Sequence, residues 1–94
     1  MAVLSRSEIE RRLPALEGWS YTGRAIEKQF TFDGFPAAVA FVQRLVPGAE
    51  AVDHHPDVTI NYRRVTVSYS THSEGGVTEK DFAGAETADR NSEL

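Results

Sequence analysis

The chain of 94 residues has no cysteine, few basic side chains and no long hydrophobic run. The absence of cysteine excludes a disulfide framework and any metal site built on thiolates. Ten basic against fourteen acidic residues give a net charge of −4, which argues against nucleic acid as the main partner because phosphate binding needs a basic surface. No apolar segment has the length of a membrane span, and residues 1–6 lack the apolar core of a secretory signal. These features favour a small soluble protein of the cytoplasm.

The apolar pattern predicts one α+β domain over residues 1–94, since this length is close to the common domain size. The predicted order is α-β-β-α-β-β-α, a four-stranded antiparallel sheet with helices packed on one face. Ser7 is predicted to cap the first helix, and two strands follow over 19–22 and 25–32. Asp33 is predicted to cap a central helix that kinks or stops at Pro47-Gly48, because proline lacks the N–H that bonds the preceding turn.

The central helix carries the widest apolar face of the chain, which is typical of a core helix. This predicted face contains Phe35, Ala38, Val39, Phe41, Val42, Leu45 and Val46. After it, alternation over 58–62 and 65–70 predicts two strands joined at Arg63-Arg64. Thr78 is then predicted to cap a last helix with a thin apolar face, and the polar tail from Asp89 onward is expected to fray.

The three histidines of the chain cluster in the predicted fold. His54-His55-Pro56 precedes the third strand, and His72 follows the fourth. Because the two strands pair antiparallel, the end of the fourth strand lies beside the start of the third, and His72 returns towards the pair. Histidine changes its charge near neutral pH, so the cluster favours a site of proton transfer.

Three other interpretations of these residues compete with proton transfer. Histidines flanked by Asp53, Asp57 and Asp81 suggest a metal site, but adjacent histidines match the usual i, i+4 ligand spacing poorly. Nucleophilic catalysis lacks the glycine-flanked turn that would present a serine. In the third interpretation His54 caps the preceding helix, and His55 and His72 are ordinary surface residues.

The same residues carry a resemblance to a known family. The signature consists of Glu50, His54-His55-Pro56, Tyr62, His72 and Asp81, with further similarity at Gly18-Trp19, over 28–32 and along the central helix. In residue types and spacing the chain resembles the pterin-4a-carbinolamine dehydratases. It differs from them at Val58, where vertebrate members carry Trp, at Pro47-Gly48, and in a last helix that is poorer in large apolar residues.

The resemblance implies the fold predicted above, no metal and no cofactor, with a pterin as the substrate. It implies dehydration of 4a-hydroxytetrahydropterin to quinonoid dihydropterin, which recycles the cofactor of aromatic amino-acid hydroxylases. His54, His55 and His72 would form the catalytic site, with the acid and base roles left open. Candidate pterin contacts are Asp81, Glu50, Lys80, Asp53 and Val58; Asp81 could instead orient a histidine or simply stabilise the start of a helix.

Two further functions stay open at this point. Some family members also serve as dimerisation cofactors of a homeodomain transcription factor, so the chain could be a protein-binding adapter with this fold. It could also dehydrate a related pterin. Unpaired sheet edges predict a homo-oligomer, and the thin apolar face of the last helix favours a dimer over a tetramer. An aromatic amino-acid hydroxylase is a further possible partner, whereas nucleic acid and membranes are not expected.

Overall fold

The computed structural model describes residues 3–94, which form three α-helices, two 3₁₀ turns and a four-stranded sheet. The helices are α1 (Arg6–Arg12), α2 (Phe35–Val52) and α3 (Glu79–Ser92), and the strands are β1 (Ser20–Tyr21), β2 (Ile26–Thr31), β3 (Asp57–Asn61) and β4 (Arg64–Tyr69). The predicted α+β class and the order α-β-β-α-β-β-α are confirmed. None of the helices in residues 3–94 combines the length and hydropathy that crossing a lipid bilayer requires.

The sheet has the order β1-β2-β4-β3, and every neighbouring pair is antiparallel. Alternate residues of β2 and β4 face the helices. Ile26 pairs with Tyr69 and Phe30 with Val65, and all four side chains are buried. The intervening positions, such as Gln29 and Thr66, turn to the opposite, polar face. Period-two patterning of this kind belongs to a sheet covered on one side, as the sequence predicted.

Helix α1 begins earlier than the sequence predicted. The side chain of Ser5, not Ser7, accepts the backbone N–H of Glu8 at 3.1 Å, so the predicted cap is wrong by two residues. Each serine lies three residues before a glutamate, so the local sequence offers two caps, and the structure uses the earlier one. Pro14 lies in a 3₁₀ turn (Leu13–Ala15) that follows the helix.

Helix α2 also begins at a different residue and buries a narrower face than predicted. Gly34, in an extended conformation and without a side-chain bond, is the N-cap instead of Asp33. Ala38, Phe41 and Leu45 are buried, whereas Phe35 and Val46 are 52% and 54% exposed. The helix therefore packs on the sheet through the side chains from Ala38 to Leu45, and part of the predicted apolar face is exposed to solvent.

The central helix does not stop at Pro47-Gly48, because α2 runs as one helix from Phe35 to Val52. The alternative, a kink at this point, stays a prediction. Pro47 is exposed, so its ring does not disturb the side that packs on the sheet. Gly48 lies close to α3, where an added Cβ would meet Thr87 Cγ2 at 3.5 Å. The packing of α2 on α3 and the sheet therefore stabilises the helix by more than the loss of one backbone hydrogen bond at Pro47 destabilises it.

Two predictions in the second half of the chain need correction. Asn61 pairs with Arg64, so the hairpin connection is Tyr62-Arg63 and not Arg63-Arg64; Tyr62 takes the positive φ of 56° that the short turn requires. The expected fraying after Asp89 is wrong, because α3 continues to Ser92. Asp89 accepts hydrogen bonds from Trp19 Nε1 at 3.1 Å and Lys28 Nζ at 2.9 Å, which attach this end of the helix to the core.

Candidate active site

The candidate site begins where α2 ends. Asp53 is the C-cap and adopts a left-handed conformation with φ 51° and ψ 48°, which turns the chain sharply. The backbone N–H of His54 then donates to the carbonyl of Ala49 at 3.0 Å and closes the helix. Because of this turn the two adjacent histidines leave the backbone into different surroundings. Asp53 is exposed, and its role in this geometry is that of a helix cap.

His54 lies against a buried carboxylate. Its Nε2 is 2.6 Å from Oδ1 of Asp81, and the two side chains are 11% and 0% exposed. The imidazole ring stacks on Tyr69, with ring centroids 6.0 Å apart and planes inclined by 26°. A short bond and a stacked ring together fix both the position and the orientation of this histidine.

Asp81 is held by the start of α3. It is the N3 residue of a capping box with Thr78, and its Oδ2 accepts the Thr78 backbone N–H at 2.8 Å. The same oxygen accepts the hydroxyl of Thr71 at 2.8 Å. A carboxylate without solvent needs such donors, and the N-terminus of a helix adds a favourable dipole. Asp81 is thus both the expected helix carboxylate and the group that orients His54.

The partner of Nε2 determines which nitrogen of His54 is available. With Asp81 as a carboxylate, Nε2 carries a proton and donates it, because a carboxylate can only accept. Nδ1 has no hydrogen-bond partner, and within residues 3–94 no buried side-chain nitrogen or oxygen lacks one, so Nδ1 reaches the surface. A cleft of about 290 Å³ between α2 and α3 opens beside the ring and is lined by Leu45, Gly48, His54, Tyr69, Lys80 and Gly84.

His55 has a more exposed environment on the other side of α2. Its Nε2 lies 2.6 Å from Oε2 of Glu50, and the two side chains are 51% and 69% exposed. The residue borders a shallow depression together with Pro56 and Val58. Glu50 and Val58, both predicted as pterin contacts, are therefore neighbours of His55 rather than of His54.

His72 opens a 3₁₀ turn (His72–Glu74) directly after β4 and is exposed. Asp57 pairs with Ser68, so the start of β3 does lie beside the end of β4, as the sequence predicted. His72 borders a polar depression of about 580 Å³ that also contains Asp57 and Ser68. Each histidine thus opens onto a different depression, and no hydrogen bond or ring contact joins two histidines in residues 3–94.

Two further observations describe the chemistry of the site. Among the described residues, 3–94, no group of three or more His, Cys, Asp or Glu is arranged to hold a metal ion. Burial, with a smaller contribution from the negative charge of Asp81, raises the pKa of Tyr69 from 10.0 to about 12. Tyr69 therefore stays neutral over the whole range in which a histidine titrates.

Three residues of the site were missed from the sequence: Thr71, Tyr69 and Gly84. In the sequence Thr71 is an ordinary polar residue at the end of a predicted strand, and no local pattern links it to Asp81. Alternation predicted Tyr69 only as a core residue. Gly84 interrupts the apolar face of α3 and could have been a signal, since glycine in a helix interior often marks close packing. A Cβ at Gly84 would lie 2.5 Å from the Tyr69 ring.

Comparison with known proteins identifies the family of the chain. The family model for pterin 4 alpha carbinolamine dehydratase matches residues 2–91. A protein of Sulfolobus acidocaldarius, provisionally named a pterin-4-alpha-carbinolamine dehydratase, is 52% identical over 79 residues, which are 84% of this chain and 87% of the relative. A protein of Mycobacteroides abscessus with the same provisional name is 47% identical over 89 residues, 95% of each chain.

A solved structure is similar as well. The crystal structure of a transcriptional coactivator/pterin dehydratase from Brucella melitensis superimposes with a TM-score of 0.89 at 40% sequence identity. The superposition covers 96% of this chain and 98% of the Brucella chain. Sequence signature, fold and near-complete coverage lead to one conclusion: the chain belongs to the pterin 4 alpha carbinolamine dehydratase family.

Proposed function

We propose that this chain dehydrates 4a-hydroxytetrahydropterin to quinonoid dihydropterin and so recycles the pterin cofactor of aromatic amino-acid hydroxylases. The observation that supports this most directly is the buried pair of His54 and Asp81, with the second ring nitrogen of His54 free at the surface. The family membership provides the substrate class. Histidine general acid–base catalysis provides the reaction.

The reaction needs one proton removed and one supplied. N5 of the substrate loses its proton, a double bond forms between N5 and C4a, and the hydroxyl on C4a leaves as water after it has been protonated. We assign the base to His54, because a neutral ring that donates through Nε2 offers the lone pair of Nδ1. We assign the acid to His55, because the depression that it borders shares Leu45 and Ala49 with the cleft beside His54. His72 and Lys80 are assigned to orientation of the pterin, with Val58 at the edge of the site.

Steady-state dehydration of chemically generated 4a-hydroxytetrahydropterin tests the proposal. His54→Ala and His55→Ala should each lower turnover by about 10²–10⁴-fold, the usual contribution of a general acid or base. His72→Ala should lower it as well, and the double variant of His54 and His55 should lose less than the product of the single losses, because acid and base act as a unit. EDTA should have no effect.

Three results would contradict this assignment: full activity in two of the three histidine variants, abolition of activity by EDTA, or no activity in the wild-type chain. Glu86→Ala is a suitable control, since Glu86 is exposed on α3 and lines none of the three depressions that the histidines border. Comparing pterins that differ in their side chain would separate this substrate from a related pterin.

A protein-binding adapter is a second candidate function. Three large apolar residues of α2 are exposed, namely Phe35, Val46 and Val52, and the Brucella relative is named a transcriptional coactivator as well as a dehydratase. An adapter would keep its partner binding in all three histidine variants and lose it when Val46 or Val52 is replaced by a charged residue. Dependence of the activity on the histidines favours the enzyme.

We also propose that the chain assembles into a homodimer, with an aromatic amino-acid hydroxylase as a possible further partner. Strand β3 is an edge strand, and Ile60 on it is 38% exposed, so pairing with a second copy would cover both its backbone and this side chain. Light scattering at micromolar concentration should give twice the mass of the chain. A stable tetramer would overturn the preference for a dimer.

A further inference from the structure

The buried polar residues of this protein form one group. Among residues 3–94, the polar or charged residues that are buried are Thr71, Thr78 and Asp81, with 3%, 0% and 0% of their surface exposed. All three are joined by hydrogen bonds of 2.8 Å. Burying a polar group without a partner is costly, so the interior of this chain has one place where hydrogen-bond geometry is critical.

The direction of these hydrogen bonds follows from the donors that are present. The Thr71 hydroxyl has one proton and gives it to Oδ2 of Asp81. It therefore accepts from the Thr78 hydroxyl, which in turn accepts the backbone N–H of Lys80 at 3.2 Å. The chain of donors runs from Lys80 through two threonines and ends on the carboxylate.

This arrangement leaves one oxygen of Asp81 for His54. Oδ2 receives both the Thr71 hydroxyl and the Thr78 backbone N–H, so its acceptor positions are occupied. Oδ1 faces Nε2 of His54. Rotation of the carboxylate would break two hydrogen bonds in the interior, so Oδ1 stays in the position that holds Nε2 of His54.

We propose that Thr71 is a positioning residue for the dehydration: its hydroxyl fixes the carboxylate of Asp81 and thereby holds the His54 ring in the orientation that leaves Nδ1 free for the substrate. The activity part of this inference rests on the proposed function. Capping of α3 accounts for the hydroxyl of Thr78, which accepts the N–H of Lys80. It does not account for Thr71, which lies outside α3 and bonds the carboxylate from ten residues away.

Thr71 also connects two of the catalytic candidates. It directly precedes His72, and its backbone bridges to Gly76, with its N–H donating to the Gly76 carbonyl at 2.9 Å. The loop that carries His72 is therefore attached to Asp81, and through it to His54, by a single hydroxyl. Loss of that hydroxyl should affect the position of both histidines without touching the substrate.

The test compares Thr71→Val, which keeps the shape of the side chain and removes the hydroxyl, with Thr71→Ser, which keeps the hydroxyl. Thr66→Val is the matched control, because Thr66 lies in β4 on the polar face of the sheet. Nitrogen-15 NMR of the imidazole rings reports the tautomer, and steady-state kinetics report kcat and KM. The wild type should show His54 with its proton on Nε2.

We expect Thr71→Val to shift or broaden the ring nitrogen resonances of His54, because the carboxylate that holds the ring loses one of its two donors on Oδ2. The same variant should lower kcat by roughly tenfold to a hundredfold, the effect of one hydrogen bond to a charged group. Thr71→Ser should restore both the resonances and the rate, and Thr66→Val should behave as the wild type. Unchanged His54 resonances together with an unchanged kcat in Thr71→Val would overturn the inference.

Two further outcomes have a defined meaning. If the wild-type chain lacks dehydratase activity, the proposed function fails, while the NMR comparison still decides whether Thr71 controls the orientation of the His54 ring. If Thr71→Val does not fold, the wild-type protein provides the test. Its Thr71 hydroxyl proton should exchange slowly with solvent and give an observable resonance, and rapid exchange would overturn the inference.

Discussion

Two glycines in the interiors of neighbouring helices should respond in opposite ways to the same substitution. A Cβ added at Gly84 in α3 would lie 2.5 Å from Cε1 and 2.8 Å from Cζ of Tyr69. The ring cannot easily move aside, because Tyr69 is 4% exposed and contacts both Trp19 and His54. At Gly48 in α2 the nearest atom, Thr87 Cγ2, would be 3.5 Å away, an ordinary contact distance.

The two substitutions share one contribution to stability and differ in another. Replacing glycine by alanine in a helix interior gains about 1 kcal/mol through helix propensity. Forcing a methyl group into a packed core costs about 1–3 kcal/mol. Gly48→Ala should therefore raise the free energy of unfolding by about 1 kcal/mol, whereas Gly84→Ala should lower it by about 0–2 kcal/mol. The difference between the variants, about 1–3 kcal/mol, measures the crowding at Tyr69 alone.

Urea unfolding followed by circular dichroism and by the fluorescence of Trp19 would measure this difference. For a domain of this size, each kcal/mol corresponds to a shift of about 4–8 °C in the melting temperature. Equal stability of Gly48→Ala and Gly84→Ala, or a Gly84→Ala variant that is the more stable of the two, would refute the argument that Gly84 is required for the position of Tyr69.

Three other predictions concern stability. Pro47→Ala should raise the free energy of unfolding by about 1–3 kcal/mol, because it restores a hydrogen bond inside a continuous helix; a less stable variant in thermal melts would contradict this. Between about pH 10 and 12 the unfolded chain loses the Tyr69 proton before the folded chain does, so stability should fall as pH rises, and Tyr69→Phe should show a smaller fall in urea titrations at pH 8 and 11.5. Asp89→Ala should cost about 1–3 kcal/mol, because it leaves the indole N–H of Trp19 and the ammonium of Lys28 without their shared acceptor; calorimetry showing unchanged stability would exclude this role.

The fold could be predicted from the sequence because its strands and helices differ in period. Alternation over β2 and β4 and the helical spacing of Ala38, Phe41 and Leu45 are local properties that burial reinforces. Helix ends were harder to predict. Ser5 and Ser7 are equivalent as caps by local chemistry, so the sequence pattern does not indicate which of them the structure uses.

The candidate site was predicted only in part, for a similar reason. The pairing of β3 with β4 follows from the hairpin, and so does the position of His72 near the start of β3. The hydrogen-bond partners of the histidine side chains do not follow from the hairpin. The turn at Asp53 separates His54 from His55, and the contact of His54 with Asp81 joins residues 27 positions apart, which no sequence period indicates.

The hydrogen-bond donors of Asp81 are close to it in sequence, and this has a consequence for the order of folding. Its donors Thr71 and Thr78 are ten and three positions away, whereas His54 is 27 positions away. Short loops close at a smaller entropic cost, so the carboxylate can be in place before the imidazole arrives. Docking of His54 would then follow the rate-limiting step, and His54→Ala should accelerate unfolding while leaving the refolding rate nearly unchanged in stopped-flow experiments. A slower refolding rate would place the histidine in the folding nucleus instead.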